Sequence, residues 1–347
     1  MTSAVLPIFS DGFMPVSLAA TRRGASLTRS TLRAVGTLLG MVILLSVALV
    51  AAAVILSAIM AREAVRPPRH TAGYAVALGL PVDPKELGLE FDEWTLEVPG
   101  AATLPVWEVR SGQESGVRGQ RSAAESRQPS LTAVFIHDWG ESRIDVLARI
   151  EPWRTLCDRF VLYDLRGHGE ATGGGSRLGH REDLDLLALL DRLGDCPIVL
   201  VGQSMGAIIA ISAAASNNPV VERIAGVVAY GPSRDFHSSL RGRLHAGGYP
   251  TRPLTDLAIF WLRFAGTRPK GLPDEEIQCV RCPILIICGA DDAIVSVSHG
   301  QRIAEAATDG TLLVIPNGGH LDAHIADPQH HDQALRVFVE RVQDAVN

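Results

Sequence analysis

The 347-residue chain is short of several things that would fix its class at once. Five cysteines are too few to staple a fold of this length, and their odd number leaves at least one thiol without a partner in the same chain. Basic tracts are missing beyond a few N-terminal arginines and the formal charge is −6, so a phosphate backbone has nothing to hold; nucleic acid is not an expected partner. No internal repeat occurs. What is present is ample apolar material, 47% of residues against 20% charged, which excludes a disordered or collagen-like chain and suffices for one large folded domain.

Residues 34–61 carry no ionisable side chain. At about 1.5 Å rise per residue this run exceeds the ~20 residues needed to cross a ~30 Å hydrocarbon core. A secretory signal has a shorter apolar core and a small-x-small cleavage site, so a retained, single-pass signal-anchor is the expectation. Arg22, Arg23, Arg29 and Arg33 precede the span, against one acid. The positive-inside rule then puts residues 1–33 in the cytoplasm, poorly ordered, and the body on the extracytoplasmic side. Thr21-Arg22-Arg23 does not continue as a twin-arginine export signal.

Residues 62–89, rich in proline and glycine, read as a stalk with little regular structure. Alternating runs at 91–98 and 104–110, separated by Pro99-Gly100, predict a hairpin, and 111–130 a polar loop. Apolar runs of strand length follow at 132–136, 160–163, 198–201, 224–229, 284–287 and 312–315. Helical spacing lies between and after them, at 143–153, 181–193, 205–216, 298–307 and 329–346. Buried strands alternating with helices predict an α/β domain over 90–347, with a mostly parallel eight-stranded sheet covered on both faces. Residues 232–276 break the alternation. They contain one apolar helical stripe, 254–264, and read as a small helical cap.

The strongest local signal is Gly202-Gln203-Ser204-Met205-Gly206, placed between an apolar strand and a small-residue helix. A G-x-S-x-G in that context is a nucleophile elbow. A serine hydroxyl needs a base to take its proton and an acid to orient that base. Both candidates follow strands: Asp291 and Asp292 after 284–287, and His320 in a glycine loop after 312–315.

With His137-Asp138-Trp139-Gly140 and Asp164-Leu165-Arg166-Gly167-His168-Gly169, these motifs resemble the α/β-hydrolase superfamily over residues 90–347. Within it they are similar to serine hydrolases of the monoacylglycerol-lipase, serine-aminopeptidase and carboxylesterase type. The resemblance implies Ser204 as nucleophile, His320 as base, and Asp292, three residues after Gly289, as orienting acid. It places the oxyanion donors at the backbone N–H groups of Met205 and Trp139, although Asp138 stands where the family usually has glycine. The chemistry needs no cofactor or metal; the expected substrate is a small acyl compound, and an anchor beside a bilayer adds lipid esters to the candidates. His-Asp-Trp-Gly is also the nucleophile tetrapeptide of haloalkane dehalogenases, but such an elbow needs an earlier His-Gly strand where this chain has its apolar span.

Four further features read as structural. His168 orders its loop. Cys279 and Cys282 lack the second Cys/His pair of a zinc site. His330 and His331 open the last helix on a solvated face, and Trp261 and Phe264 pack along the cap's stripe. The expected activity is cleavage of an ester, thioester or amide through an acyl-enzyme. The alternatives are a catalytically inactive, membrane-tethered binding module and an acyltransferase using the same triad.

Overall fold

The computed structural model describes residues 28–110, 131–272 and 274–346; the readings made for 1–27 and for the 111–130 loop lie outside them. The chain divides into two compact units, 1–51 and 52–347. In the first, the described residues belong almost entirely to helix α1, Arg29–Ala64, which continues into the second. By length and composition α1 can cross a membrane, and its apolar side chains from Leu32 to Ile59 are largely exposed. It is longer than the apolar run at both ends. Thr28 caps the first turn through its hydroxyl, and the helix stops before Pro67-Pro68, where the missing N–H groups could not continue it.

The second unit corrects the reading of 62–89 as a stalk. Helix α2, Ala72–Leu78, and a 3-10 turn over Pro84–Leu87 lie there, and Ala75 and Leu89 are fully buried. Side chains that looked merely polar find partners on the domain. Arg69 donates to the Gly169 and Ala171 carbonyls, and His70 meets Asp145 at 3.0 Å.

Eight strands follow: β1 Phe91–Val98, β2 Ala102–Arg110, β3 Thr132–Ile136, β4 Arg159–Tyr163, β5 Ile198–Gln203, β6 Ile224–Tyr230, β7 Ile284–Gly289 and β8 Gly310–Ile315. They form one sheet in the order β1-β2-β4-β3-β5-β6-β7-β8, parallel except where β2 pairs antiparallel with β1 and β4. The period of two explains why the central strands β3 to β7, covered on both faces, are apolar along most of their length, whereas edge strand β1 alternates. Val134, Ile136, Leu200 and Ile286 pack on one face, and Phe135, Val201, Val228 and Ile287 on the other.

The helices are α3 Arg143–Val146, α4 Glu182–Arg192, α5 Met205–Ala214, α6 Phe236–Ala246, α7 Leu254–Phe264, α8 Asp274–Ile277, α9 Val297–Ala306, α10 Ala323–Ala326 and α11 Pro328–Val346. Three details depart from expectation. The helix expected over 143–153 is one short turn followed by two 3-10 turns, the second holding Pro152. In the cap, α6 forms despite Gly242; a side chain there would strike the Ile294 backbone, so glycine permits a close approach rather than breaking the helix. His330 and His331 also part company. His330 is exposed, whereas His331 is buried with its Nε2 at 2.9 Å from the Tyr230 hydroxyl.

Candidate active site

The carboxyl ends of β3, β5, β7 and β8 share one edge of the sheet, where open α/β folds place their ligands. Ser204 is the single residue between β5 and α5, held at φ 51°, ψ −105°. Such a conformation costs a non-glycine residue about 1–3 kcal/mol and persists only where its surroundings impose it. Here the Ser204 N–H donates to the Tyr230 carbonyl at 2.7 Å, and α5 is buried along its whole length. Gly206 lets the first turn of α5 lie on β3, since any side chain would overlap the Ile136 carbonyl.

The structure brings the three sequence candidates together. His320 Nε2 lies 2.9 Å from Ser204 Oγ, and His320 Nδ1 lies 2.7 Å from Asp292 Oδ2. The Asp292 carboxylate is almost fully buried, and its other oxygen accepts the Ile294 and Val295 N–H groups at 2.7 and 2.8 Å. Its neighbour Asp291 is exposed and engages the His320 loop through its backbone, its N–H donating to the Gly318 carbonyl. A base bonded to a hydroxyl on one nitrogen and to a carboxylate on the other can remove the hydroxyl proton and carry the resulting charge.

The oxyanion side is different. The Met205 N–H does sit beside Ser204, but the Asp138 carboxylate already accepts it, at 3.2 Å through Oδ1. The other carboxylate oxygen is paired with Arg243 of α6 at 2.6 Å and lies 4.0 Å from His320 Nε2. Burial by itself would raise the Asp138 pKa, but Arg243 foremost, with His320 and the Met205 N–H, holds it down at about 2. The carboxylate is therefore ionised at neutral pH. Trp139, whose backbone N–H was the other expected donor, is anchored through its side chain, the indole N–H donating to the Ala64 carbonyl at 2.8 Å. The loop is braced from behind: the Asp138 N–H donates to Glu141, which Arg149 clamps while also donating to Gln203, the residue before Ser204.

Arg243, Glu141 and Arg149 were not anticipated. Phe236, Leu240 and Leu244 recur at i, i+4 and i+8 and were the signal for α6, and hence for Arg243 on it. Glu141 and Arg149 carry no periodic or motif signal. His168 is fully buried beneath the β3 loop, edge-on to His137 with ring centroids 5.1 Å apart. Burial, and next the nearby His137, push its pKa down to about 3, so it is neutral. All five cysteines are free thiols; Cys279 is exposed, and the Cys282 thiol is pushed up to about 12 by burial. Among the described residues no group of His, Cys, Asp and Glu could hold a metal.

A cavity of about 250 Å³ opens beside Ser204, Met205 and Arg243. Its walls are mostly apolar, formed by Leu178, Ile208, Phe236, Leu240 and, from the last turns of α1, Met60 and Ala64.

A strand–serine–helix elbow, with a histidine and an acid delivered by the last two strands of a parallel sheet, defines a serine-hydrolase-like architecture. Residues 133–334 match the alpha/beta hydrolase family, and the chain belongs to that family. It is 28% identical over 185 residues to an uncharacterized protein of Mycobacterium tuberculosis, a match covering 52% of this chain and 59% of that one. It is 29% identical over 227 residues to the pimeloyl-[acyl-carrier protein] methyl ester esterase of Chromobacterium violaceum, covering 54% of this chain and 86% of the esterase. Among solved structures the Pyrococcus furiosus esterase Pf2001 superposes with a TM-score of 0.62 at 21% identity, over 80% of this chain and 97% of the other, a likeness of fold.

Proposed function

We propose that the protein is a membrane-anchored serine hydrolase that cleaves a carboxylic ester, or a related thioester or amide, through an acyl-enzyme. The observation that carries this is the continuous relay Ser204–His320–Asp292, with contacts of 2.9 and 2.7 Å. Ser204 Oγ attacks the carbonyl carbon while its proton passes to His320 Nε2. That proton then goes to the departing alcohol, thiol or amine as the tetrahedral intermediate collapses. Water, deprotonated by the same imidazole, releases the acid and restores the serine. Asp292 keeps the proton of the resting imidazole on Nδ1 and stabilises the imidazolium. The esterase names among the relatives and structural neighbours support an ester substrate.

Stabilising the intermediate's oxyanion requires Asp138 to leave the Met205 N–H, because an ionised carboxylate there repels the charge that develops. Arg243 lies within reach to keep hold of the displaced carboxylate. On this reading α1 is the anchor and the hydrolase body is extracytoplasmic. The occupied donor also favours a second reading, a catalytically inactive module in which Asp138 fills the hole permanently. Labelling of the purified full chain by a fluorophosphonate separates the two. Labelling that disappears in Ser204→Ala, together with at least a thousandfold loss of p-nitrophenyl ester turnover in a folded protein, is the expected result. A wild-type chain that no fluorophosphonate labels would establish the inactive module.

A further inference from the structure

We propose that the cavity beside Ser204 receives the acyl chain of a membrane lipid ester, with cap helix α7 resting in the bilayer surface. This deepens the hydrolase reading above and rests on it. One wall of the cavity is the end of the apolar helix itself. Met60, Glu63 and Ala64 line it, and Arg62 and Glu63 are also exposed, so the cavity stands at the level where α1 passes from apolar to charged. Lipid ester carbonyls occupy that depth in a bilayer, between the hydrocarbon core and the headgroups.

The cap supplies the second observation. Helix α7 is fastened to α1: Trp261 Nε1 donates to Ser57 Oγ at 3.2 Å, and Ala258 and Leu262 pack with Ala61 and Ala64. Burial of that stripe leaves Phe260 and Phe264 outside, 55% and 78% exposed, with their rings stacked at 6.3 Å. Two large apolar rings on a surface continuous with an apolar helix fit a lipid interface, where an aromatic face is stable and an aqueous one is not. Tyr249, also exposed, borders the cavity.

The volume sets the length of chain held. A cavity of about 250 Å³ takes in several methylenes next to the ester and not the whole of a long acyl chain. The remainder of a longer chain stays in the bilayer. Each methylene buried is worth about 0.8 kcal/mol, a factor of about four in kcat/KM, which makes octanoyl esters on the order of a hundredfold better than butyryl esters.

The test uses the full chain reconstituted in phosphatidylcholine vesicles, with p-nitrophenyl acetate, butyrate, octanoate and dodecanoate as substrates and fluorophosphonate labelling of Ser204 as the check on folding. Met60→Trp fills the cavity and is expected to lower the octanoate-to-acetate ratio of kcat/KM at least tenfold. Met60→Ala enlarges it and moves the optimum toward dodecanoate, which keeps the test open should the tryptophan variant not fold. The double variant Phe260→Glu, Phe264→Glu is expected to slow hydrolysis of vesicle-borne dodecanoate at least fivefold while acetate turnover stays within twofold. An acyl-length preference that neither Met60 variant moves overturns the proposal, as does wild-type turnover of vesicle-borne ester by the double glutamate variant. Absence of labelling in the wild-type chain is a separate result, and it defeats the hydrolase reading itself.

Discussion

The two halves of the site are built differently. On the proposed reading, every group on the side of β5, β7 and β8 stands where acyl transfer would need it: a strained Ser204, an imidazole bonded at both nitrogens, and a buried Asp292 whose second oxygen is taken up by backbone N–H groups. On the side of β3, the donor that should face the substrate oxygen is occupied by the protein's own Asp138, which is tied in turn to the cap through Arg243. In the proposed hydrolysis, the nucleophile and its base are therefore fully preorganised while the electrostatic half of the same reaction awaits a rearrangement. Proton transfer needs only three side chains in register, whereas oxyanion stabilisation needs an empty position.

The largest effect belongs to the preorganised half. Asp292→Asn keeps the shape of the side chain and can still accept from Ile294 and Val295, but its amide disfavours the imidazole tautomer that presents an unprotonated Nε2 to Ser204. Turnover should fall by about 10⁴-fold with the thermal midpoint little changed, read by kcat on a short p-nitrophenyl ester and by calorimetry. A loss below tenfold would mean that the acid does not orient the base, and the contrast between the halves would lose its first term.

The second half should respond in the opposite direction. Asp138→Gly restores the residue common at this place in the family and frees the Met205 N–H. Because one oxyanion donor is worth about 10² to 10³ in kcat, the variant should gain up to a hundredfold. Removing Asp138 leaves Arg243 without its carboxylate partner, but that side chain is about 30% exposed and can turn to water, so the protein should stay folded. Slower turnover in a folded Asp138→Gly would show that the carboxylate takes part in the reaction, and that the β3 half is as finished as the other.

How much of this was legible follows from which interactions leave a local trace. The strands from β3 to β8 could be read because their apolar runs, such as 198–201, are of strand length, and β1 and β2 because their residues alternate around Pro99-Gly100. Ser204, Asp292 and His320 could be read because each sits at a strand end in a motif that glycine marks. The Asp138 substitution was visible too, as a residue out of place between His137 and Trp139. What it does there was not, because its partner Arg243 is 105 residues away on a helix whose Gly242 argued against its formation. The packing of 62–89 was hidden for the same reason: Arg69 and His70 look like ordinary linker residues until Gly169, Ala171 and Asp145 meet them. Long-range polar pairing has no period.

The smallest effect lies under the β3 loop, where His168 supports His137 as a neutral ring. With a folded pKa of about 3 against an ordinary 6.5, the unfolded chain takes up a proton that the native state refuses. Stability from this residue is complete above about pH 6.5 and declines by about 1.4 kcal/mol per unit as pH falls toward the folded value. Buried Glu182, pushed up to about 7, has the reverse dependence, contributing most below its ordinary 4.5 and losing that contribution as pH rises, so the raw pH profile of the wild type mixes the two. The clean reading is the difference from His168→Gln, which cannot titrate. The variant should be less stable than wild type at pH 7, and the gap should close by about 2 kcal/mol by pH 5, followed as thermal midpoints of the full chain in detergent. A gap that does not change with pH would mean that the ring is not held neutral, and that the foundation of the β3 half differs from the one described.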